Sequence, residues 1–255
     1  EMSASLVGSE MCIRDSGSSM QKEDDVVKSG IINWTSWMSN ETTYGYAGPM
    51  PLAVINFYNK ISDTDFRKLS WKAPAGSVLE GKNTYIDTAT GAALPEYASL
   101  KFRPGSGNMS DFNVGSACSY PMMRVEEMYF IEAEAAAQQN PAQGVNLLND
   151  FMSNYRDPQY KCTKSSKEDV VKEIVFQKRV ELWGEGQSFF DIKRLNLPVT
   201  RGYAGTLHHT IGRFNTTTRP AWMNFCIVRS EGNNNTALVG FENPDPSDVY
   251  SSWAE

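Results

Sequence analysis

Two stretches decide how this chain folds: Ser119–Ala137 (SYPMMRVEEMYFIEAEAAA) and Lys172–Asn196 (KEIVFQKRVELWGEGQSFFDIKRLN). In the first, Val125, Tyr129, Ala133 and Ala136 recur at helical spacing and predict one helix face. In the second, Val171, Ile174, Val175 and Leu182 make a face, with Phe176, Val180 and Trp183 beside it. Between them, Leu148, Phe151, Met152 and Tyr155 repeat the spacing over Gln143–Tyr155. Three amphipathic helices on short connections must bury their stripes against one another, so the pattern predicts a mainly α bundle.

The punctuation agrees. Asn140-Pro141 stops the first helix and opens the next, because proline is tolerated only where its missing N–H is not needed. These two helices form a hairpin of the tetratricopeptide kind, present once rather than as an array. Ser165-Ser166-Lys167-Glu168 reads as a capping box at the start of the third helix. Gly184 and Gly186 should break or bend that helix, leaving Phe189–Leu195 as a separate turn.

Upstream of Tyr120, where the bundle is expected to begin, the chain is loop-rich. Leu52–Lys60 reads as a short helix, and Asp63–Trp71 (DTDFRKLSW) as another ending at Trp71. The span 73–115 reads as loops with a small strand pair from Asn83–Asp87 and Ser99–Arg103. After Pro198 loops return, with Trp222–Val228 (WMNFCIV) as a short strand or extended run. Glu1–Ser19 is expected to be disordered and outside the fold. Ser5–Ser16 (SLVGSEMCIRDS) shows no periodicity or caps and resembles a translated sequencing-adapter read-through.

Composition narrows the function classes. A net charge of −6 disfavours a nucleic-acid partner, which selects a basic surface. No apolar run of about 20 residues exists to span a membrane as a helix. Cys12, Cys118, Cys162 and Cys226 contain no CxxC pair and no histidine at ligand spacing, so neither a metal site nor a cofactor is expected. One disulfide among Cys118, Cys162 and Cys226 stays open. His208 and His209 are adjacent in a loop-like stretch, where exposure is the expectation.

The densest charged cluster is Arg179, Glu181, Glu185, Asp191 and Arg194. One reading makes two of its carboxylates a glycosidase acid/base pair. A nearby arginine lowers a carboxylate's pKa, the wrong direction for a general acid, so an ion-pair network fixing the Gly184–Gly186 bend is the better reading. On the first helix, Glu126, Glu127, Glu132 and Glu134 carry no histidine partner, and Glu134 is placed to pair across helices, with Arg179 as the candidate. Ala133 and Ala135–Ala137 let helix backbones approach closely.

Pro121, Arg124, Glu127, Ala133, Glu134 and Ala135 resemble the P-x-x-R-x-x-E-x-x-x-x-x-A-E-A helix of the SusD/RagB family of Bacteroidota outer-membrane proteins. Lys178-Arg179-Val180-Glu181-Leu182-Trp183-Gly184-Glu185-Gly186, then Asp191 and Arg194, resemble the family's second hallmark, and Asp63–Trp71 resembles its D-x-R element. The ordered pair of motifs is far more specific than either alone. The resemblance covers residues 20–255 as one SusD-like C-terminal domain, a helical tetratricopeptide-like bundle with long loops and minor β, truncated at its N-terminus. It implies Arg124, Glu127, Glu134, Arg179, Glu181, Glu185, Asp191 and Arg194 as structural residues.

It also implies a non-catalytic surface lipoprotein of the outer membrane. Such a protein would bind oligosaccharide, as starch-binding relatives do, and deliver it to a SusC-like TonB-dependent transporter. Its lipid anchor would sit on the missing N-terminus; the alternatives are RagB-type peptide cargo or a helical glycoside hydrolase fragment. The expected ligand contacts are loop aromatics, Trp34, Trp37, Tyr44, Tyr46, Trp71 and Tyr85, with Tyr97 beside them. Flat rings cover the C–H faces of sugars while Asn33, Asn40, Asn83 and Arg103 read hydroxyls.

Overall fold

The computed structural model describes residues 16–18, 38–40, 54–83, 93–108 and 110–243. The chain divides into two compact units, Glu1–Glu185 and Gly186–Glu255. The predicted ligand aromatics Trp34, Trp37, Tyr44, Tyr46 and Tyr85 lie outside the described residues, as does Asn33.

In the first unit a short strand β1 (Ser16–Ser18) precedes the short helices α1 (Ile55–Tyr58) and α2 (Phe112–Gly115), then β2 (Tyr120–Met123). The helices α3 (Val125–Gln139), α4 (Pro141–Tyr155) and α5 (Lys167–Glu181) follow. Strand β2 corrects the expectation that the bundle starts at Tyr120. Pro121 disfavours helical geometry at the residue before it, and Arg124 is still extended at φ −122°, ψ 149°, so helix begins at Val125. The extended segment then needs a partner for its backbone, and Ser16–Ser18 supplies it antiparallel. Those residues, expected to be disordered, therefore belong to the fold; the rest of 1–19 lies outside the described residues.

The caps follow the sequence closely. Asn140 accepts from the Ala142 N–H with Pro141 at the first helical position. The box at α5 is displaced by one residue: Ser166 accepts from the Asp169 N–H, and its hydroxyl meets the Asp169 carboxylate at 2.8 Å.

Helix α3 packs on both α4 and α5, and α4 also touches α5. The side chains of Phe130, Leu148, Met152, Val170 and Ile174 are almost fully enclosed between them. Each such burial contributes about 1.5–3 kcal/mol of transfer free energy. The buried face of α3 is Phe130, Ala133, Glu134 and Ala137, rotated from the predicted one, and Tyr129 is exposed. Helices α3 and α4 approach closely because Gly144 faces Ala137; a Cβ at Gly144 would stand 2.4 Å from the Ala137 Cβ.

A second core gathers beside α5. Phe57, Tyr58, Ile61, Trp71 and Val180 are buried together, with Tyr97, Phe176 and Trp183 packed against them. The helix expected at Asp63–Trp71 is a 3₁₀ turn, Phe66–Ser70, capped by Asp65. The predicted strand at Ser99–Arg103 reduces to one bridge between Ser99 and Trp71, while 84–87, its expected partner, lies outside the described residues. Helix α5 ends at Glu181, and Gly184 turns the chain at φ 78° with Phe102 and Met38 where a side chain would point.

The second unit opens with α6 (Gln187–Arg194) and ends its described part after α7 (Arg229–Asn234). Between them a loop closes on itself through the Thr200–Asn215 bridge. The predicted extended run at Trp222–Val228 is instead a 3₁₀ turn, Ala221–Met223, followed by irregular chain with Phe225 and Val228 exposed. Among the described residues, Cys118, Cys162 and Cys226 form no disulfide with one another.

Candidate functional site

Buried carboxylates and cations cluster at the C-terminal end of α5. Glu181, on the last turn of α5 and 4% exposed, receives a two-point contact from Arg156, Nε to Oε2 at 2.8 Å and Nη2 to Oε1 at 3.0 Å. Arg67 Nη1 donates to its Oε2 at 3.2 Å and Arg124 Nη1 to its Oε1 at 3.3 Å. Glu185 receives a second fork, from Arg124 Nε at 2.9 Å and Nη2 at 3.0 Å, plus Lys101 Nζ at 2.5 Å. Arg67 is itself held by Asp65 at 2.7 Å and by the Gln177 side chain at 2.5 Å.

Burial alone would raise the Glu181 pKa, but the three arginines outweigh it and hold the carboxyl well below the usual carboxylate range. Burial likewise works against the charge on Arg67 and Arg124, and Asp65, Glu181 and Glu185 more than restore it. A carboxylate held this way keeps its charge and does not donate a proton at neutral pH.

The same cations finish helix α5. Lys101 Nζ donates to the carbonyls of Glu181 and Trp183, both at 2.9 Å, and Arg124 Nη2 to that of Glu181 at 2.8 Å. Positive charge on the last carbonyls complements the negative end of the helix dipole. The cluster therefore ties α3, α5 and the segments around Arg67 and Lys101 to the bend at Gly184.

The predicted members fall into place unevenly. Arg124, Glu181 and Glu185 form the centre. Glu127 stands 3.8 Å from Lys178 at the edge, and Glu134 is buried on α3. The countercharges expected from Arg179 and Arg194 come instead from Arg67, Lys101, Arg124 and Arg156. The Arg179 guanidinium lies 5.3 Å over the Phe57 ring. In the second unit Arg194 pairs with Asp191 at 2.8 Å within α6. Sequence reasoning passed over Lys101 and Arg156, which sit outside any motif.

Among the predicted ligand aromatics, Trp71 requires correction. It is 1% exposed and meets Phe57, Tyr58 and Trp183 edge-on at 5.8, 6.4 and 5.7 Å. No face of its ring is open to a ligand; the residue is core. Tyr97 packs on Tyr58 at 5.2 Å. The Asn40 amide donates to the Ser99 carbonyl at 2.9 Å and Asn83 to that of Leu69, so both are engaged with backbone. Aromatic surface on the described bundle appears elsewhere: Tyr129 and Tyr155, each more than two-fifths exposed, flank Phe151 on the α3–α4 hairpin. Among the described residues no group of His, Cys, Asp and Glu could hold a metal ion.

A helical hairpin braced by a third helix, with a buried arginine–glutamate lattice closing its end, defines a bundle scaffold of the tetratricopeptide-like kind. The sequence pattern of the SusD family matches residues 33–240, and the chain belongs to that family. Among solved structures, a SusD-like carbohydrate binding protein from Bacteroides vulgatus ATCC 8482 is similar, with a TM-score of 0.58 at 21% identity. The likeness covers 96% of this chain and 54% of that one. A SusD superfamily protein from Bacteroides thetaiotaomicron VPI-5482 gives 0.50 at 24% identity, covering 75% of this chain and 39% of that one. The chain thus spans about half the length, or less, of these relatives. No curated protein matches it.

Proposed function

We propose that this chain is part of a non-catalytic glycan-binding protein that captures oligosaccharide at the cell surface. The observation that carries the reading is its membership of the SusD family, together with the carbohydrate-binding relative whose fold it shares over almost its whole length. The arginine-clamped Glu181 and Glu185 support binding over hydrolysis, since neither is poised to protonate a leaving group. Ligand contact falls to the loop aromatics Trp34, Trp37, Tyr44, Tyr46 and Tyr85, through stacking of ring faces on pyranose C–H surfaces. Delivery to a SusC-like TonB-dependent transporter, and an outer-membrane lipoprotein address, complete the proposal. In this proposal a lipid anchor provides the attachment; no helix among the described residues is long and apolar enough to cross a membrane.

The test is a panel of polysaccharide affinity gels run with the full chain and Trp37→Ala, with products analysed for cleavage. Retention by one polysaccharide, weakened in Trp37→Ala and without degradation, is the expected result. Release of reducing sugars would overturn the non-catalytic reading, and retention only by peptides would move the cargo to the RagB type.

A further inference from the structure

Between Asp191 and Glu231 the sequence contains no Asp or Glu, yet it carries Lys193, Arg194, Arg201, Arg213, Arg219 and Arg229 with both histidines. In a chain of net charge −6 this is a local reversal of sign. Fixed positive charge of this kind raises the local concentration of anions.

The centre of the segment is a built loop rather than a loose one. The Arg201 N–H donates to the Phe214 carbonyl at 3.0 Å and to Asn215 Oδ1 at 3.0 Å. The Arg201 carbonyl accepts from the Thr206 hydroxyl at 2.9 Å, and the Asn215 amide closes the other side through Gly202 O at 2.9 Å. With its backbone held on both sides, Arg201 lays its guanidinium 4.8 Å over the Phe214 ring. Phe214 is in turn fixed edge-on by Trp222, with centroids 4.7 Å apart.

Among the described residues the half-buried Arg201 guanidinium makes no ion pair and no hydrogen bond, so its donor fork is unused. Burial pushes its pKa down with no carboxylate to oppose the shift, although a guanidinium stays charged. The His208 imidazole also makes no hydrogen bond among these residues. Burial, then the charge of Arg201 and Arg213, depresses its pKa, and the His208 backbone N–H reaches the Thr206 hydroxyl that in turn donates to the Arg201 carbonyl. Arg213 Nε fixes this turn by donating to the His208 carbonyl at 2.8 Å. A cation stripped of part of its water without a counterion is unfavourable, and an incoming oxyanion removes that penalty.

We propose that this loop is an anion subsite, with Arg201 as the fork and His208 as a second donor. It binds the carboxylate of a uronic acid or the sulfate ester of a sulfated sugar within an oligosaccharide. An arginine stacked on an aromatic ring presents its N–H edge in the geometry that carboxylate and sulfate oxygens accept. The saccharide part rests on the glycan-binding reading; the anion-binding part does not.

The experiment is calorimetric titration of the full chain with acidic oligosaccharides, one uronic and one sulfated. Carboxyl-reduced or desulfated counterparts and sodium sulfate alone are the controls, and each titration is repeated on Arg201→Met and on His208→Ala. An acidic ligand should bind roughly tenfold or more tightly than its neutralised counterpart, a preference that weakens with salt and disappears in Arg201→Met. Arg201→Lys, which keeps charge without the fork, should recover only part of it. Equal binding of acidic and neutralised ligands, or a preference surviving in a folded Arg201→Met protein, overturns the subsite while leaving the glycan reading intact. Saturation by sulfate alone, with no acidic saccharide bound, overturns the saccharide assignment of this loop; the glycan reading is decided separately by the polysaccharide gels.

Discussion

Arg124 grips Glu185 through two parallel hydrogen bonds, Nε to Oε2 at 2.9 Å and Nη2 to Oε1 at 3.0 Å, joining the start of α3 to the bend after α5. Both side chains are buried. Without Arg124, Glu185 keeps Lys101 as its cation and Glu181 keeps Arg67 and Arg156, so the lattice loses a fork and carries one excess buried negative charge. Arg124→Met should lower the unfolding free energy by about 3–5 kcal/mol. Arg124→Lys should recover little, because an ammonium cannot reproduce the fork or reach the Glu181 carbonyl as well. Urea unfolding measures both, and a loss below about 1 kcal/mol in Arg124→Met would contradict the assigned role.

Acid should weaken the same lattice. The Glu181 pKa is lower folded than its ordinary 4.5, so its stabilisation is fully present above that value. It is lost as pH falls from about 4.5 toward the folded pKa, because the unfolded chain takes up the proton first. Glu181→Gln should be less stable at neutral pH but show a shallower fall below pH 4.5. Melting temperatures recorded from pH 7 to pH 2.5 test this; parallel curves for the two proteins would remove Glu181 from the acid response.

Gly144→Ala should destabilise although alanine is the better helix former. The new Cβ would stand 2.4 Å from the Ala137 Cβ and 2.9 Å from the Ala133 carbonyl oxygen, forcing α3 and α4 apart. Overpacking costs about 1–3 kcal/mol against about 1 kcal/mol of helix propensity, so a net loss is expected. A rise in melting temperature would show that the hairpin spreads freely.

Trp71→Ala should cost about 3–5 kcal/mol by opening a cavity among Phe57, Tyr58 and Trp183. Any loss of glycan retention in that variant should track loss of fold in circular dichroism. The volume-sparing Trp71→Phe should retain ligand; a well-folded Trp71→Phe protein without retention would return Trp71 to the ligand surface.

The legible part of this fold was local. Asn140-Pro141 marked the hairpin turn, Ser166 lay within the predicted capping box, and Gly184 and Gly186 marked the break, since caps and positive φ act over a few residues. The bland reading of Glu181 and Glu185 as ion-paired was also accessible, because carboxylates near arginines are poor acids. Which arginines was not: Arg67 and Arg156 lie far from Glu181 along the chain, and no spacing rule links them.

The sequence by itself determined that three helices follow one another with a hairpin between the first two, because helical spacing and capping are properties of neighbours along the chain. Tertiary structure decided the rest. Helix α3 carries apolar residues all round, so only packing against α4 and α5 chose Phe130 over Tyr129 for the interior. Trp71 looked like a loop aromatic until Trp183, Phe57 and Tyr58 enclosed it. Burial and charge pairing are properties of residues brought together from distant points of the chain, and a one-dimensional pattern does not contain those distances.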